Sequence, residues 1–241
     1  MTYKKALVFD TETSGLPLTP RFGEYYATDD LAKYASSRIV QIAWQVVDLE
    51  HEGAILRQYQ TLVAPQGKFQ ISPGSESIHG ISQAKADVEG IPVLCMMQSL
   101  CDDLEDVDVL VAHNLMFDLH ILVSEVQRAG QDAPAQLMDR LTSTVRCCTM
   151  RTTTVLCNLS TSWGAPKWPK LIELHRHLFE GEEFDGAHDA LCDVSATTRC
   201  LVELIRNKHI MPPPTLEMRV AGNGVVGRRR PRAENKAINV D

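Results

Sequence analysis

Four carboxylates and one imidazole, each at the end of an apolar run, constrain this chain more than any other feature. Asp10 and Glu12 lie in VFDTET, Asp118 in HNLMFDLH, and His188 and Asp193 in GAHDALCD. A fold that gathers them must bring segments from opposite ends of the chain to one edge, where they look like one metal site. An Asp-x-Glu pair alone means little, because about a quarter of residues in an ordinary protein are charged. Asp10 and Glu12 gain weight because they follow ALVF and precede Thr-Ser-Gly-Leu, a turn that sets backbone amides beside the carboxylates. Two apart at the end of a strand, both side chains project to the same face, where a hard divalent cation can be shared.

The other three positions read less directly. Asp118 falls four residues into a helical segment, among Met116, Phe117, Leu119, Ile121 and Leu122, and is expected to face a cleft. His188 and Asp193 are five apart across a helix start marked by Gly186; Asp193 is expected to look into the site while His188 stays on its edge. A lone histidine at a helix start is often a cap or surface residue. Asp189 is a competing carboxylate, expected to point to a different face from Asp193.

Length and patterning indicate one α/β domain. A chain of 241 residues that is 44% hydrophobic suffices for a single core. Residues 5–9 form a short β-type run, and 38–49 with 53–63 read as a hairpin around Glu50–Gly53, so the first three strands are expected to be antiparallel neighbours. A helix over 92–106 starts after Pro92, a strand covers 108–112, and a helix runs from Asn114 to Ala129 with Gly130 at its end. A strand near 145–149 and helices near 150–157, 169–179 and 188–207 complete a mixed five-stranded sheet flanked by helices.

The net charge of −7 divides unevenly. From His209 onward six basic and three acidic residues give +3, which leaves −10 on residues 1–208. A body of that sign has no long-range attraction for polyanions, so any nucleic acid must be held by local basic loops and bound cations. Residues 1–208 are expected to be the folded domain; 209–241, with its Pro212–Pro214 run and Arg228–Arg232 cluster, reads as a disordered or tethering tail. The N-terminal MTYKKALVFD has too short an apolar run for a signal-peptide core, and no stretch of about 18 apolar residues occurs, so neither secretion nor membrane insertion is expected. Seven cysteines without a CxxC pair read as buried free thiols of a reducing compartment, cytoplasmic or nuclear, with Cys147 and Cys148 facing opposite ways on one strand.

The three acidic segments resemble the motifs of the DEDDh class of DnaQ-like 3′–5′ exonucleases. Asp10-Thr-Glu12-Thr-Ser-Gly15 is similar to the first motif, His113-Asn-Leu-Met-Phe-Asp118 to the second, and His188-Asp-Ala-Leu-Cys-Asp193 to the third, in family order across residues 6–205. Ile78-His-Gly-Ile81 looks like a further segment of these enzymes. The resemblance implies an RNase H-like fold and two divalent cations, Mg²⁺ or Mn²⁺, with Asp10, Glu12 and Asp193 on one and Asp10 and Asp118 on the other. It also implies that His188 accepts a proton from the attacking water, as an imidazole does near neutral pH, and that nucleoside 5′-monophosphates are released.

The expected partner is a nucleic acid with a free 3′ end, DNA favoured over RNA, in proofreading or repair beside a DNA polymerase or alone. An exoribonuclease of the same chemistry and an inactive nucleic-acid- or polymerase-binding module are the alternatives. Candidate substrate contacts are Thr13, Ser14, Gly15 and Leu16 in the turn after the first strand, with Leu16 as an apolar wedge, together with His79 and Asn114. The connection Pro17–Ser37, with Arg21, Phe22, Tyr25, Tyr26, Lys33 and Tyr34, and the stretch Trp163–Lys170 mix cations with rings suited to single strands. A mixture like that of Pro17–Ser37 is more often a surface loop folded on itself, and Trp168 is as readable as core.

Overall fold

The computed structural model describes residues 3–210. Five strands, β1 (Lys5–Thr13), β2 (Ile39–Asp48), β3 (Ala54–Leu62), β4 (Val109–Ala112) and β5 (Val145–Cys148), form one sheet in the order β3-β2-β1-β4-β5. β1, β2 and β3 are antiparallel neighbours, whereas β4 and β5 run parallel to β1. This is the mixed RNase H-like sheet that the sequence indicates. The helices are α1 (Pro73–His79), α2 (Gln83–Glu89), α3 (Val93–Asp103), α4 (Leu115–Ala129), α5 (Leu137–Ser143), α6 (Thr149–Thr152), α7 (Thr154–Cys157), α8 (Leu171–Leu178) and α9 (Ala190–Arg206). Among the described residues no helix is long and apolar enough to cross a membrane.

The strand pleat sorts the core into two layers. Leu7 and Phe9 of β1, with Ile42 and Trp44 of β2, pack against α3 and α4, while Ala6, Val8, Ala43 and Val47 face α8 and α9. β2 lies inside the sheet with both faces covered, so RIVQIAWQVVDL reads as a nearly continuous apolar run rather than an alternation. Its two glutamines break that run for a reason. Gln41 Nε2 donates to Asp189 at 3.1 Å while its Oε1 accepts from the Ala190 amide, also at 3.1 Å. Gln45 meets Ser195 and Thr198 one and two turns further on. These bonds fix α9 lengthwise on the sheet, and with it Asp193.

Several boundaries differ from the sequence reading. β1 continues past residue 9 to Thr13 because β2 pairs with it along the whole length, so Asp10 and Glu12 lie within the strand rather than beyond it. The helix expected over 150–157 is two short ones, parted at Thr153, whose hydroxyl donates to the Thr149 carbonyl at 2.7 Å and competes with the helical ladder. Helices α1, α2 and α5 were not anticipated: at seven residues each they show too little period to read, and α1 and α2 are started by the hydroxyls of Ser72 and Ser82. Cys95, expected inside, is exposed, whereas Cys147 and Cys148 are buried in opposite layers as their adjacency requires. The expected tail lies outside the described residues apart from His209 and Ile210, and Ile210 is still buried against the α9 layer.

One buried ion pair ties the entry of β2 to α4. Arg38 makes a two-pronged contact with Glu125, with Nη2 to Oε2 at 2.9 Å, and both side chains are almost wholly enclosed. The Arg38 backbone in turn holds Ser14: the Ser14 amide donates to the Arg38 carbonyl at 2.9 Å, and the Arg38 amide donates to Ser14 Oγ at 3.0 Å. Removing one partner leaves a buried charge unpaired, which costs about 3–5 kcal/mol, whereas replacing both by apolar groups is close to neutral. Glu125→Ala is therefore expected to lower the urea unfolding free energy by about 3 kcal/mol or more, and Arg38→Met with Glu125→Leu to recover most of it. Equal losses in both proteins would show that the pair itself, rather than its charge balance, holds the fold.

Candidate active site

β1 outruns its parallel neighbour. Its pairing with β4 ends at Val8 and Val111, whereas its pairing with β2 continues to Thr13. The overhanging edge leaves the Thr11 amide without a strand partner, and Asp118 at the start of α4 supplies one. Asp118 Oδ1 accepts from the Thr11 amide at 3.0 Å and from its hydroxyl at 2.7 Å. Thr11 points to the α4 face of β1, so Asp10 and Glu12 on either side of it point to the α9 face. A bulge between Glu12 and Thr13 then turns the strand out of the sheet.

Asp193 comes from the first turn of α9 on that second face. Asp189 caps this helix, accepting from the Leu191 and Cys192 amides at 3.2 Å and from Gln60 at 3.0 Å. Burial works to raise the Asp189 pKa, but these bonds and that from Gln41 outweigh it and hold the group below the ordinary carboxylate range. Asp189 thus belongs to the scaffold and Asp193 to the cleft, as their spacing suggests. His188 stands just before the cap with a φ of 71°, exposed, and its amide donates to Asp193 Oδ2 at 2.9 Å. One ligand atom from each of Glu12, His188 and Asp193 lies within 4.8 Å of the other two, spacing that suits a metal ion.

The four acids disturb one another. Glu12 is pushed up to about 8, first by burial and then by the charges of Asp193 and Asp118. Asp118 is pushed up to about 7 by burial, against which the two Thr11 bonds act. Asp10 and Asp193 are also raised, chiefly by burial, with Asp118 the largest neighbouring charge at Asp10. Hard oxygen donors that repel one another in the absence of a cation are the donor set a divalent ion of the Mg²⁺ or Mn²⁺ type prefers.

A family model described as an exonuclease, of RNase T type, matches residues 7–201. The chain belongs to the RNase T exonuclease family. That family consists of divalent-metal-dependent exonucleases. No curated protein matches the chain. Among solved structures it is similar to the zinc-bound form of the E. coli exonuclease I complex with single-stranded DNA, at 18% identity and a TM-score of 0.62, over 86% of this chain and 41% of that one. It is also similar to E. coli exonuclease I with a dT13 oligonucleotide, at 17% identity and a TM-score of 0.58, over 83% and 41%. A complex of exonuclease I with SSB-Ct matches at 17% identity and a TM-score of 0.62, over 85% and 42%. The RNase T-type chain thus spans about two fifths of the exonuclease I chains it matches.

The remaining expected contacts separate into scaffold and rim. The Thr13 hydroxyl donates to the Gly15 carbonyl at 2.9 Å, and that of Ser14 to the Ser36 carbonyl at 3.0 Å, so both are committed within the protein. The Ser14 amide is likewise taken by Arg38. A Cβ on Gly15 would stand 2.6 Å from the Ser36 carbonyl oxygen, which explains glycine there by close approach. Leu16, 76% exposed, stands free at the rim. His79 is fixed by the Ile81 amide, which donates to Nδ1 at 3.0 Å, and it lies close enough to His188 for their charges to interact. Asn114 adopts a left-handed turn with φ of 71° at the head of α4. Its motif neighbour His113 is half-buried and held between Thr149 Oγ1 at 3.0 Å and the Pro169 carbonyl at 2.9 Å, and desolvation pushes it down to about 4.

Sequence reasoning missed Thr11 and Gln41, and named Tyr25 only as one ring of a loop suited to single strands. Thr11 is hidden in the variable place of the Asp-x-Glu pair. Gln41 and Gln45 were legible as two polar residues four apart on one face of an otherwise apolar strand. Tyr25, from the Pro17–Ser37 connection, lies against His120 with ring centres 4.6 Å apart and is pushed up to about 12, by burial and then by Asp118.

Two outcomes are expected. Carboxyls whose folded pKa is raised contribute stability that is fully present below the unfolded value, near 4, and lost as pH rises through the folded values, about 7 for Asp118 and about 8 for Glu12. The metal-free Tm should therefore fall between pH 5 and 8, Mn²⁺ should raise it more at pH 8 than at pH 5, and Asp10→Asn should be more stable than the parent at pH 8 without metal. A metal-free Tm that rises over this range would contradict the clustering. Thr11→Val, which keeps shape but removes one bond to Asp118, should lower kcat about tenfold, on the order of one hydrogen bond to a charged group, with Tm little changed; full activity would make that bond dispensable.

Proposed function

We propose that this chain hydrolyses the last phosphodiester bond at the 3′ end of single-stranded or frayed DNA and releases nucleoside 5′-monophosphates. The observation that carries this reading is the meeting of Asp10, Glu12, Asp118, His188 and Asp193 at the overhanging end of β1, drawn from three distant segments. Asp10, Glu12 and Asp193 would hold one divalent cation, and Asp10 with Asp118 a second, either Mg²⁺ or Mn²⁺. When bound, such cations neutralise the reacting phosphate and acidify a water. Thr11 orients Asp118, and the Gln41–Asp189 bonds orient α9, so the carboxylates are aimed before substrate arrives. His188 stands at the exposed lip, tied to Asp193 by its amide, with its imidazole left to accept the proton of the attacking water.

DNA is favoured because the similar exonuclease I structures hold single-stranded DNA oligonucleotides. The acidic body suits an enzyme that grips one strand end locally and does not coat duplexes. Proofreading or repair, alone or beside a DNA polymerase, belongs to this reading.

The test uses 5′-labelled single strands of DNA and RNA with one sequence, with Mg²⁺ or EDTA. The expected result is a metal-dependent ladder shortening from the 3′ end, faster on DNA. His188→Ala should lose about 10²–10⁴-fold in kcat while keeping the Mn²⁺-induced rise in Tm. Loss of that rise would make His188 a metal ligand, faster loss of RNA would make the enzyme an exoribonuclease, and no shortening of either strand would leave a binding module.

A further inference from the structure

The Pro17–Ser37 connection is pinned to the body by rings. Tyr34 is buried and its hydroxyl donates to the Tyr26 carbonyl at 2.6 Å, Tyr25 stacks on His120, and Phe22 stacks on Trp168 with ring centres 5.3 Å apart and planes 21° from parallel. Gly23 makes the last contact close. Its φ is +76°, and a Cβ there would come within 2.5 Å of the Trp168 ring. Arg151 of α6 also packs on Trp168. Its guanidinium carbon lies 5.0 Å from the Trp168 ring centre, Nη2 donates to the Gly23 carbonyl at 3.3 Å, and Nε is buried without a hydrogen-bond partner among the described residues.

For all this anchoring, Phe22 remains 91% exposed. Full burial of a phenylalanine is worth about 1.5–3 kcal/mol, which the fold forgoes while spending a left-handed glycine, a tryptophan and an arginine to hold the ring still. Core packing does not account for that. Location does. Trp168 adjoins Pro169, whose carbonyl holds His113 beside Asn114, and Tyr25, three residues after Phe22, feels the charge of Asp118. The stack therefore borders the site on the Asp118 side. A cation held by Asp118 on the side away from the attacking water would stabilise the leaving 3′ oxygen, and that oxygen belongs to the strand upstream of the reacting nucleotide.

We propose that Phe22, held on Trp168 and Arg151, is the platform on which a base of the upstream single strand stacks. This rests on the exonuclease reading. Base–aromatic stacking is indifferent to sequence, worth about 1–3 kcal/mol per base, and needs unpaired bases, so the platform selects single strands over duplex.

The experiment measures Phe22→Ala and Phe22→Trp in two ways. One is binding of a fluorescein-labelled dT12 strand by anisotropy, with Ca²⁺ in place of Mg²⁺; the other is kinetics on unlabelled dT12 and on the p-nitrophenyl ester of thymidine 5′-monophosphate, which has no upstream strand. Phe22→Ala should raise Kd and KM for dT12 about fivefold or more, leave kcat and the ester kinetics unchanged, and be rescued by Phe22→Trp. Unchanged dT12 binding would overturn the platform, as would an equal rise in KM for strand and ester, which would put Phe22 against the terminal nucleotide. Strand binding through Phe22 in a protein that cleaves neither substrate would keep the platform and overturn the hydrolytic reading.

Discussion

The site depends on one unpaired amide. β1 runs past the end of β4, and where the parallel ladder stops the Thr11 N–H turns to Asp118. A backbone donor in a buried place must find an acceptor, and here the acceptor is a carboxylate on the next helix. That bond draws the head of α4 against the overhang. It sets Asp118 on one side of β1 while the pleat sends Asp10 and Glu12 to the other, where α9 brings Asp193. Both faces of the sheet contribute to one cluster only because the strand between them has a bare edge.

Gathering four acids this way works against folding in the absence of cations. Glu12 and Asp118 are held far above ordinary carboxyl values, by burial first and by the charge of Asp193 after it. The rest of the domain offsets that cost with rigid parts away from the chemistry: the Arg38–Glu125 pair behind the turn, the glutamines of β2 beneath α9, and His113 wedged between Thr149 and Pro169. Each holds a segment that carries a site residue. A bound divalent ion removes the repulsion, so the arrangement that is least stable alone is the one most ready to bind metal.

Much of this was legible in the sequence, for definite reasons. Asp10, Glu12 and Asp118 could be read because they end or follow apolar runs, and His188 and Asp193 because they flank a helix start marked by Gly186. The antiparallel pairing of the first three strands followed from a hairpin, and the mixed sheet from two later strands separated by helices. Short helices capped by serines were illegible because seven residues show too little period. The Thr11 bond was illegible because it depends on how far two strands overlap, which is a tertiary fact. Ser14 read as a substrate contact from its place after the acids, yet its amide and hydroxyl are consumed by Arg38 and Ser36. Proximity in sequence to a site does not say which donors remain free.

In the proposed function Asp10 is shared by two cations in a single cluster. Counting bound Mn²⁺ through the loss of the free-ion electron paramagnetic resonance signal, with thymidine 5′-monophosphate present, tests it most directly. Two ions are expected for the parent protein, one for Asp118→Asn, and none held tightly by Asp10→Asn. A parent protein that binds fewer than two, or an Asp10→Asn protein that keeps both, would contradict it.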